Sequence, residues 1–494
     1  MSSPTPVPIG RIPALLDSTA AIVVLAAALV LAQVWTFHAV RLDDAYITFR
    51  YAQNLASGHG FVFNVGQRVM GSTSPGEVLL AAALYPLVGR DALPSVMAAL
   101  GCVAWTAQAA LLFVLLRKPI GRLRASLVAA AVAVGVAGSP LWLPLETNIA
   151  AAATLAAFAL ALRSRWVGAA AMCAFAGLMR ADAYLMVLPL AVLCVRELRW
   201  GAWRPALVLG LMAAPWPVFA TRYFGSPVPL SMSKVHFTTR ALYALHVLRD
   251  VPNPYGGSAP LALAAAFWLL VAGGALILIR SDRRLLALIV YGVLHAVFYV
   301  ALAPNPAFGW HLYAVTLVAF VLVVVAAGTL VAKAPTPALR AGAAFATVAA
   351  SSVATVEFAR SYEMDVWYGA RDAEYRKVAA WLSTSADPRD IVSAEEVGTL
   401  AYYTGLRMND HTGLVTKYPG DVYWRLAHKQ TTHFRWLVLN GKEIELGRDR
   451  PYYEGRAVRT FAERGWGIFV VDVKSPRIDG LLSPWEEAAG SVTP

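Results

Sequence analysis

Long apolar runs recur through the first 360 residues, and they limit the chain to folds that satisfy every backbone polar group inside a bilayer. Lipid offers the backbone no hydrogen bonds, so each crossing segment must be a helix of roughly 20 apolar residues. Eleven runs read as crossings: 19–40, 93–116, 125–143, 148–162, 165–179, 183–198, 205–222, 260–280, 285–303, 312–332 and 340–358. Charged residues make up 15% of the chain and hydrophobic ones 58%, whereas a soluble domain carries about 25% charged residues. The expected fold class is an α-helical polytopic membrane protein of about eleven transmembrane helices. The polar, Pro-rich start is followed by a run of span length, which reads as a retained first helix and not as a cleaved signal.

Basic residues gather in every second connection: Arg117 to Arg124, Arg163 and Arg165, Arg196 to Arg204, Arg280 to Arg284, and Lys333 with Arg340. By the positive-inside rule these connections are cytoplasmic. The N-terminus is then cytoplasmic and the tail beyond residue 358 lies outside. The count requires that Gly76–Leu87, with Glu77, be an interfacial or re-entrant helix and not a crossing. From residue 361 onward there are 17 Lys/Arg and 19 Asp/Glu, so the net charge of +12 comes from the membrane region. Cytoplasmic loops account for that excess, and no nucleic-acid partner is expected. Cys102, Cys173 and Cys194 all fall in apolar runs and form neither a disulfide framework nor a zinc pattern.

Residues 359–494 read as a separate α/β domain outside the membrane. Asp372–Leu382 is helix-like, IVSA at 391–394 is strand-like, and VGTLAYYTG is a short helix closed by Gly405. RWLVLN (435–440) and IFVVDV (468–473) have the length of buried strands.

The stretch most informative about chemistry is RLDDAYITFRYAQNLASGHGFVFNVGQRVMGSTSP, in an external loop spanning 41–92. Asp44 can cap a helix starting at Ala45. On that helix Ile47, Tyr51 and Leu55 share one face and Tyr46, Arg50, Gln53 and Asn54 another, as for a helix lying on a membrane surface. FVFN-VG-QRV has the look of a short hairpin. A carboxylate pair at the headgroup level can take a proton from a hydroxyl that attacks a sugar carried on a lipid phosphate. The departing phosphate then needs a cation, and His59, Arg180, Lys234, His236 and His311 are candidates on the same side.

These motifs resemble the first external loop of integral-membrane glycosyltransferases of the GT-C fold, and most of all the branch of mycobacterial B-type arabinofuranosyltransferases. PLETN with Glu146, LMRAD at 178–182, RYFGSPVPLSMSK at 222–234 and AEEVGTLAYYTGLRMNDHTGL at 394–414 are similar to later family motifs and come in the same order. Met179, Ala181, Leu230 and Ser231 depart from the family pattern. The resemblance implies a polyprenyl-phosphate sugar donor (arabinofuranose or a hexose such as mannose) and a hydroxyl acceptor on a cell-envelope glycan, lipid or protein. It implies Asp43 as base, Asp44 as helper, Glu146 as a second acid toward acceptor or a divalent cation, and Lys234 beside the donor phosphate. Tyr46, Arg50, His59, Arg180, His236 and His311 complete the expected donor and substrate set.

Plainer roles stay open for each of these residues. Asp43 and Asp44 can be helix caps in water, Glu146 a helix-end acid, Arg180 and Asp182 a local ion pair, and His59 and Lys234 solvated loop residues. Glu395, Glu396, Asp410 and His411 match no known ligand spacing. Two other functions compete: a lipid or sugar transporter or flippase, which would want ionisable groups near the midplane, and a membrane-anchored binding protein whose tail does the work.

Overall fold

The structure, a computed structural model, describes residues 19–37, 42–135, 137, 143–230, 240–253, 259–302, 311–339, 342, 370–410, 413–416, 435–440, 458–463 and 466–472. The helices run α1 (Thr19–Phe37), α2 (Asp43–Ala56), α3 (Pro75–Leu116), α4 (Arg122–Ala133), α5 (Thr147–Ala161), α6 (Trp166–Met179), α7 (Val187–Leu198), α8 (Trp203–Ala213), α9 (Pro215–Phe224), α10 (Arg240–Asp250), α11 (Leu261–Ser281), α12 (Leu286–Val297) and α13 (Tyr313–Ala332). The tail adds α14 (Ala370–Ser385), β1 (Ile391–Ala394), α15 (Gly398–Thr404), β2 (Arg407–Asp410), β3 (Trp436–Asn440), β4 (Arg459–Glu463) and β5 (Trp466–Asp472).

Among the described residues, four helical stretches have the length and apolarity to cross a bilayer: Pro75–Leu116, Leu261–Ser281, Arg283–Ala301 and Tyr313–Ala332. Thr19–Trp35, Thr147–Ala161 and Trp166–Met179 are apolar but shorter. The expected eleven full spans are therefore not met. The run at 183–198 starts as a 3-10 turn (Ala181–Met186) before α7, and the run at 205–222 divides between α8 and α9 around Ala214 and Pro215. Only α4 of the 125–143 run is helical among the described residues, and the 340–358 run lies almost wholly outside them. Gly76–Leu87 is helical and continuous with α3, which breaks at Gly89, where φ is 75°.

The chain divides into two compact units. The first holds Met1–His38, Ser95–Pro217 and Val235–Tyr362, and the second holds Ala39–Pro94, Val218–Lys234 and Glu363–Pro494. The first external loop thus folds with the tail.

In the first unit, small residues let helices approach closely, the common device where lipid removes the hydrophobic drive between helices. A Cβ at Gly274 on α11 would collide with the Leu322 carbonyl on α13. Gly274→Ala is accordingly expected to cost about 1–3 kcal/mol through forced separation of the two helices. Thermal unfolding in detergent checks this, and an unchanged midpoint would contradict the packing. Polar groups add cross-helix bonds: the Gln108 side-chain amide donates to the Asn148 carbonyl oxygen (3.1 Å) and side-chain oxygen (3.0 Å), and the Tyr313 hydroxyl donates to Gln108 (2.7 Å).

In the second unit the tail forms a five-stranded sheet in the order β2-β1-β3-β5-β4. β1 pairs in parallel with β2 and β3, while β3–β5 and β5–β4 are antiparallel. α14 packs on it through Trp381, whose ring meets Trp436 edge-on at 5.4 Å. The strands expected at 391–394, 435–440 and 468–473 and the helices around 372–382 and 398–404 are present, with Gly405 closing α15 at φ 75°. The short strands β2 and β4 carry no apolar run that would have marked them. FVFN-VG-QRV forms no strand pair; it turns at Asn64, whose carbonyl accepts from the Gln67 amide at 3.0 Å.

Candidate functional site

In the second unit, α2 is not an amphipathic surface helix. Ala45 through Ala52 and Asn54 are all buried. The helix begins at Asp43 with Leu42 as its N-cap, two residues earlier than a cap at Asp44 would place it. The Asp43 carboxylate, half-buried, accepts the amide of Gly398 at 2.8 Å on Oδ2 and that of Thr399 at 2.7 Å on Oδ1. Those amides open α15, so Asp43 joins the first loop to the tail. Asp44 beside it is exposed.

The next turns of α2 repeat the theme. The Tyr46 hydroxyl accepts from the Arg376 guanidinium at 2.6 Å, and its ring lies against Phe49, Tyr402 and Tyr403. Burial raises the Tyr46 phenol well above its usual range, so it stays neutral. Arg50 donates to the Phe63 carbonyl (3.3 Å), the Gln53 side chain (2.7 Å) and the Gly405 carbonyl (2.9 Å). Burial pulls the Arg50 guanidinium down to about 10, which leaves it a cation at neutral pH. Asn64 exchanges bonds with the Met408 backbone at 2.9 Å each way. Asp410 accepts the amides of Leu414 (2.5 Å) and Val415 (3.0 Å) and thus shapes a loop.

His59 is exposed on a turn flanked by Gly58 and Gly60, with φ of 79° and 86°. The positive φ favours glycine at Gly60, and a Cβ there would meet the Tyr223 hydroxyl at 2.6 Å. Arg68 lies over the Tyr223 ring at 4.5 Å, and the Leu230 amide donates to the Met70 carbonyl at 2.9 Å. The described part of the 222–234 motif therefore lies along the first loop. Lys234 and His236 fall outside the described residues.

In the first unit the structure brings together Glu146, Arg180 and His311 with residues that sequence reasoning did not rank. Glu146 ends the turn before α5, and it is 6% exposed where an exposed acid was expected. Arg180 and Asp182 sit where α6 gives way to the 3-10 turn. Arg180 pairs with Glu146 at 2.8 Å and grips Asp182 through two bonds of 2.6 and 3.1 Å. The Tyr299 hydroxyl donates to Asp182 at 2.6 Å, and His295 Nε2 lies 3.5 Å from the same carboxylate. His311 stacks on the Tyr299 ring, with centroids 5.5 Å apart and planes at 17°.

Burial opposes charge on both Arg180 and Asp182, but the partner charges outweigh it. Asp182 is held well below the usual carboxylate range and Arg180 well above its ordinary value. One guanidinium thus serves two carboxylates, which leaves no surplus positive charge for a phosphate. A cavity of about 20 Å³ adjoins the cluster, lined among others by Thr147, Thr154, Arg180, Asp182, His295 and His311. Such a space suits roughly one water molecule. Thr147 Oγ1 and His295 Nδ1, both buried, have no hydrogen-bond partner among the described residues. His295 carried a readable signal: it is the lone Asp, Glu, Lys, Arg or His in the apolar run 285–303, a position that is functional by default in a membrane, and Tyr299 follows one turn later. Among the described residues, no group of three or more His, Cys, Asp or Glu is placed to hold a metal ion.

The family described as Domain of unknown function (DUF8728) matches residues 363–472, the tail alone. Sequence comparison with curated proteins yields no match. Solved structures do match over most of the chain. ArnT from Cupriavidus metallidurans bound to undecaprenyl phosphate superposes with a TM-score of 0.60 at 11% identity, covering 92% of this chain and 98% of that one. The oligosaccharyltransferase of Archaeoglobus fulgidus in the apo form gives 0.56 at 12% identity, covering 85% and 69%. AglB from the same organism, in complex with an inhibitory peptide and a dolichol-phosphate, gives the same score and coverage. The chain thus has the fold of GT-C membrane enzymes, and four of its described helical stretches are long and apolar enough to cross a membrane.

Proposed function

We propose that the chain is an inverting membrane glycosyltransferase that moves a sugar from a polyprenyl-phosphate carrier to a hydroxyl of the cell envelope. The observation that carries this reading is the near whole-length likeness to ArnT bound to undecaprenyl phosphate, 92% of this chain against 98% of that one. The ordered acidic motifs of the sequence support it.

In this scheme the acceptor oxygen attacks the anomeric carbon while Asp43 takes the hydroxyl proton. The bond from that carbon to the phosphate oxygen breaks, and the polyprenyl phosphate departs as an anion. Asp43 suits the task because two amides fix its carboxylate in place, and each oxygen keeps a further acceptor site. The leaving phosphate is assigned to Lys234, since Arg180 is committed to Glu146 and Asp182. The alternating basic connections support a cytoplasmic N-terminus and a tail outside. The resemblance of the first loop supports an arabinofuranosyl donor, with a hexose such as mannose as the competing choice.

The test is incubation of purified protein with a panel of polyprenyl-phosphate sugars and a cell-envelope acceptor. Consumption of one donor with an inverted linkage is expected. Retention of configuration would overturn direct displacement, and no consumption of any donor would overturn the transferase reading. His295, which lies within the 285–303 run beside the buried Asp182, favours one alternative, a carrier-lipid flippase, because ionisable groups inside a membrane often mark a transport path. A flippase would move the intact donor across vesicles without consuming it.

A further inference from the structure

A second site lies along the helices on either side of the Arg180–Asp182 turn. α6, α7 and α8 border an open apolar cavity of about 440 Å³, lined by Trp166, Cys173, Leu190, Cys194, Pro205 and Leu209 among others. That volume is within the ~300–1,000 Å³ typical of small-molecule sites. Its lining comes from the first half of α6, from α7 between Val187 and Val195, and from the start of α8. Arg180 follows the end of α6, seven residues beyond Cys173, the last lining residue on that helix, or roughly 10 Å at the helical rise. The cavity shares no lining residue with the small one beside Arg180.

The segments beside the cavity carry Arg163, Arg165, Arg196, Arg199 and Arg204, all exposed, against Glu197 alone. Trp200 is 94% exposed and Trp203 59% exposed, and the Arg204 guanidinium lies 5.7 Å from the centre of the Trp203 ring. Arginines and tryptophans together are the mark of a headgroup boundary. Basic pockets between membrane helices on the cytoplasmic side suit anionic headgroups.

We propose that this cavity binds an anionic diacyl phospholipid, with one acyl chain between α6, α7 and α8 and the phosphate on the arginine rim. The rim's charge selects the phospholipid, since a zwitterionic lipid gains little from five arginines facing one acid. This site does not depend on the transferase reading.

The test uses the delipidated full-length protein in detergent, offered equal palmitoyl-oleoyl phosphatidylglycerol and phosphatidylcholine, with bound lipid read by native mass spectrometry. One phosphatidylglycerol is expected to be retained in preference. Arg199→Gln with Arg204→Gln should weaken that preference roughly fivefold per arginine. Ala170→Trp, which fills the cavity from its wall, should abolish retention. A second readout needs no variant: phosphatidylglycerol should slow maleimide labelling of Cys194 several-fold and leave Cys102, elsewhere in the unit, unaffected. Equal retention of both lipids, or labelling of Cys194 that ignores phosphatidylglycerol, would overturn the proposal. Displacement of the bound lipid by undecaprenyl phosphate would also overturn it and assign the cavity to the carrier.

Discussion

Asp43→Asn is expected to lower turnover by about a hundred- to ten-thousand-fold, the range for loss of a positioned general base. The same change also touches the fold. An amide can keep one of the bonds from Gly398 and Thr399, but its NH2 group then faces the other N–H. Hydrogen bonds to a charged group contribute about 1.5–3 kcal/mol, so a lower melting temperature of the tail unit is expected as well. Two companions separate the effects. Asp44→Asn alters an exposed carboxylate and should stay within a few-fold of wild-type turnover. Gly398→Ala forces a Cβ against the Asp43 carbonyl and to 2.9 Å from its Oδ2, so it loosens the same joint while keeping the acid. If Gly398→Ala loses as much turnover as Asp43→Asn at matched stability, Asp43 is an anchor and not a base. If Asp44→Asn shows the large loss, the roles within the pair are reversed.

The sequence made the fold legible where its signals are local. Apolar length marked the membrane region, and buried-strand runs such as IVSA and RWLVLN marked the sheet. Gly405, in the left-handed conformation at φ 75°, ended α15 where a glycine after a short helix should. What remained hidden depends on partners distant in the chain. Tyr46 and Arg50 read as the polar face of a surface helix because nothing near them in sequence announces Arg376 or the Gly405 carbonyl. An interfacial helix and a helix buried under another domain show the same local pattern. The order of the acidic motifs pointed to Glu146 and Arg180 but not to their mutual pairing. Thirty-four residues separate the two, and the pair forms only because α5 and α6 are packed side by side.

Arg180→Ala is expected to be the most destabilising single change in the membrane unit, at about 3–5 kcal/mol. It would leave Glu146 and Asp182, each with a side chain 7% exposed, as buried carboxylates without their cation. The loss should appear as a collapse in folded yield and in melting temperature. Arg180→Lys should fall between, because an ammonium cannot reproduce the two-bond grip on Asp182. The combined variant Arg180→Met, Glu146→Gln, Asp182→Asn removes all three charges together. It should recover most of the stability, since desolvating a buried ion triad costs about as much as its attraction returns. A wild-type melting temperature for Arg180→Ala would show that water reaches the cluster. Turnover of the combined variant then decides the cluster's purpose. Full activity makes it a structural clamp at the joint of α5, α6 and the 3-10 turn, whereas a stable but inactive protein ties Glu146 and Asp182 to the chemistry.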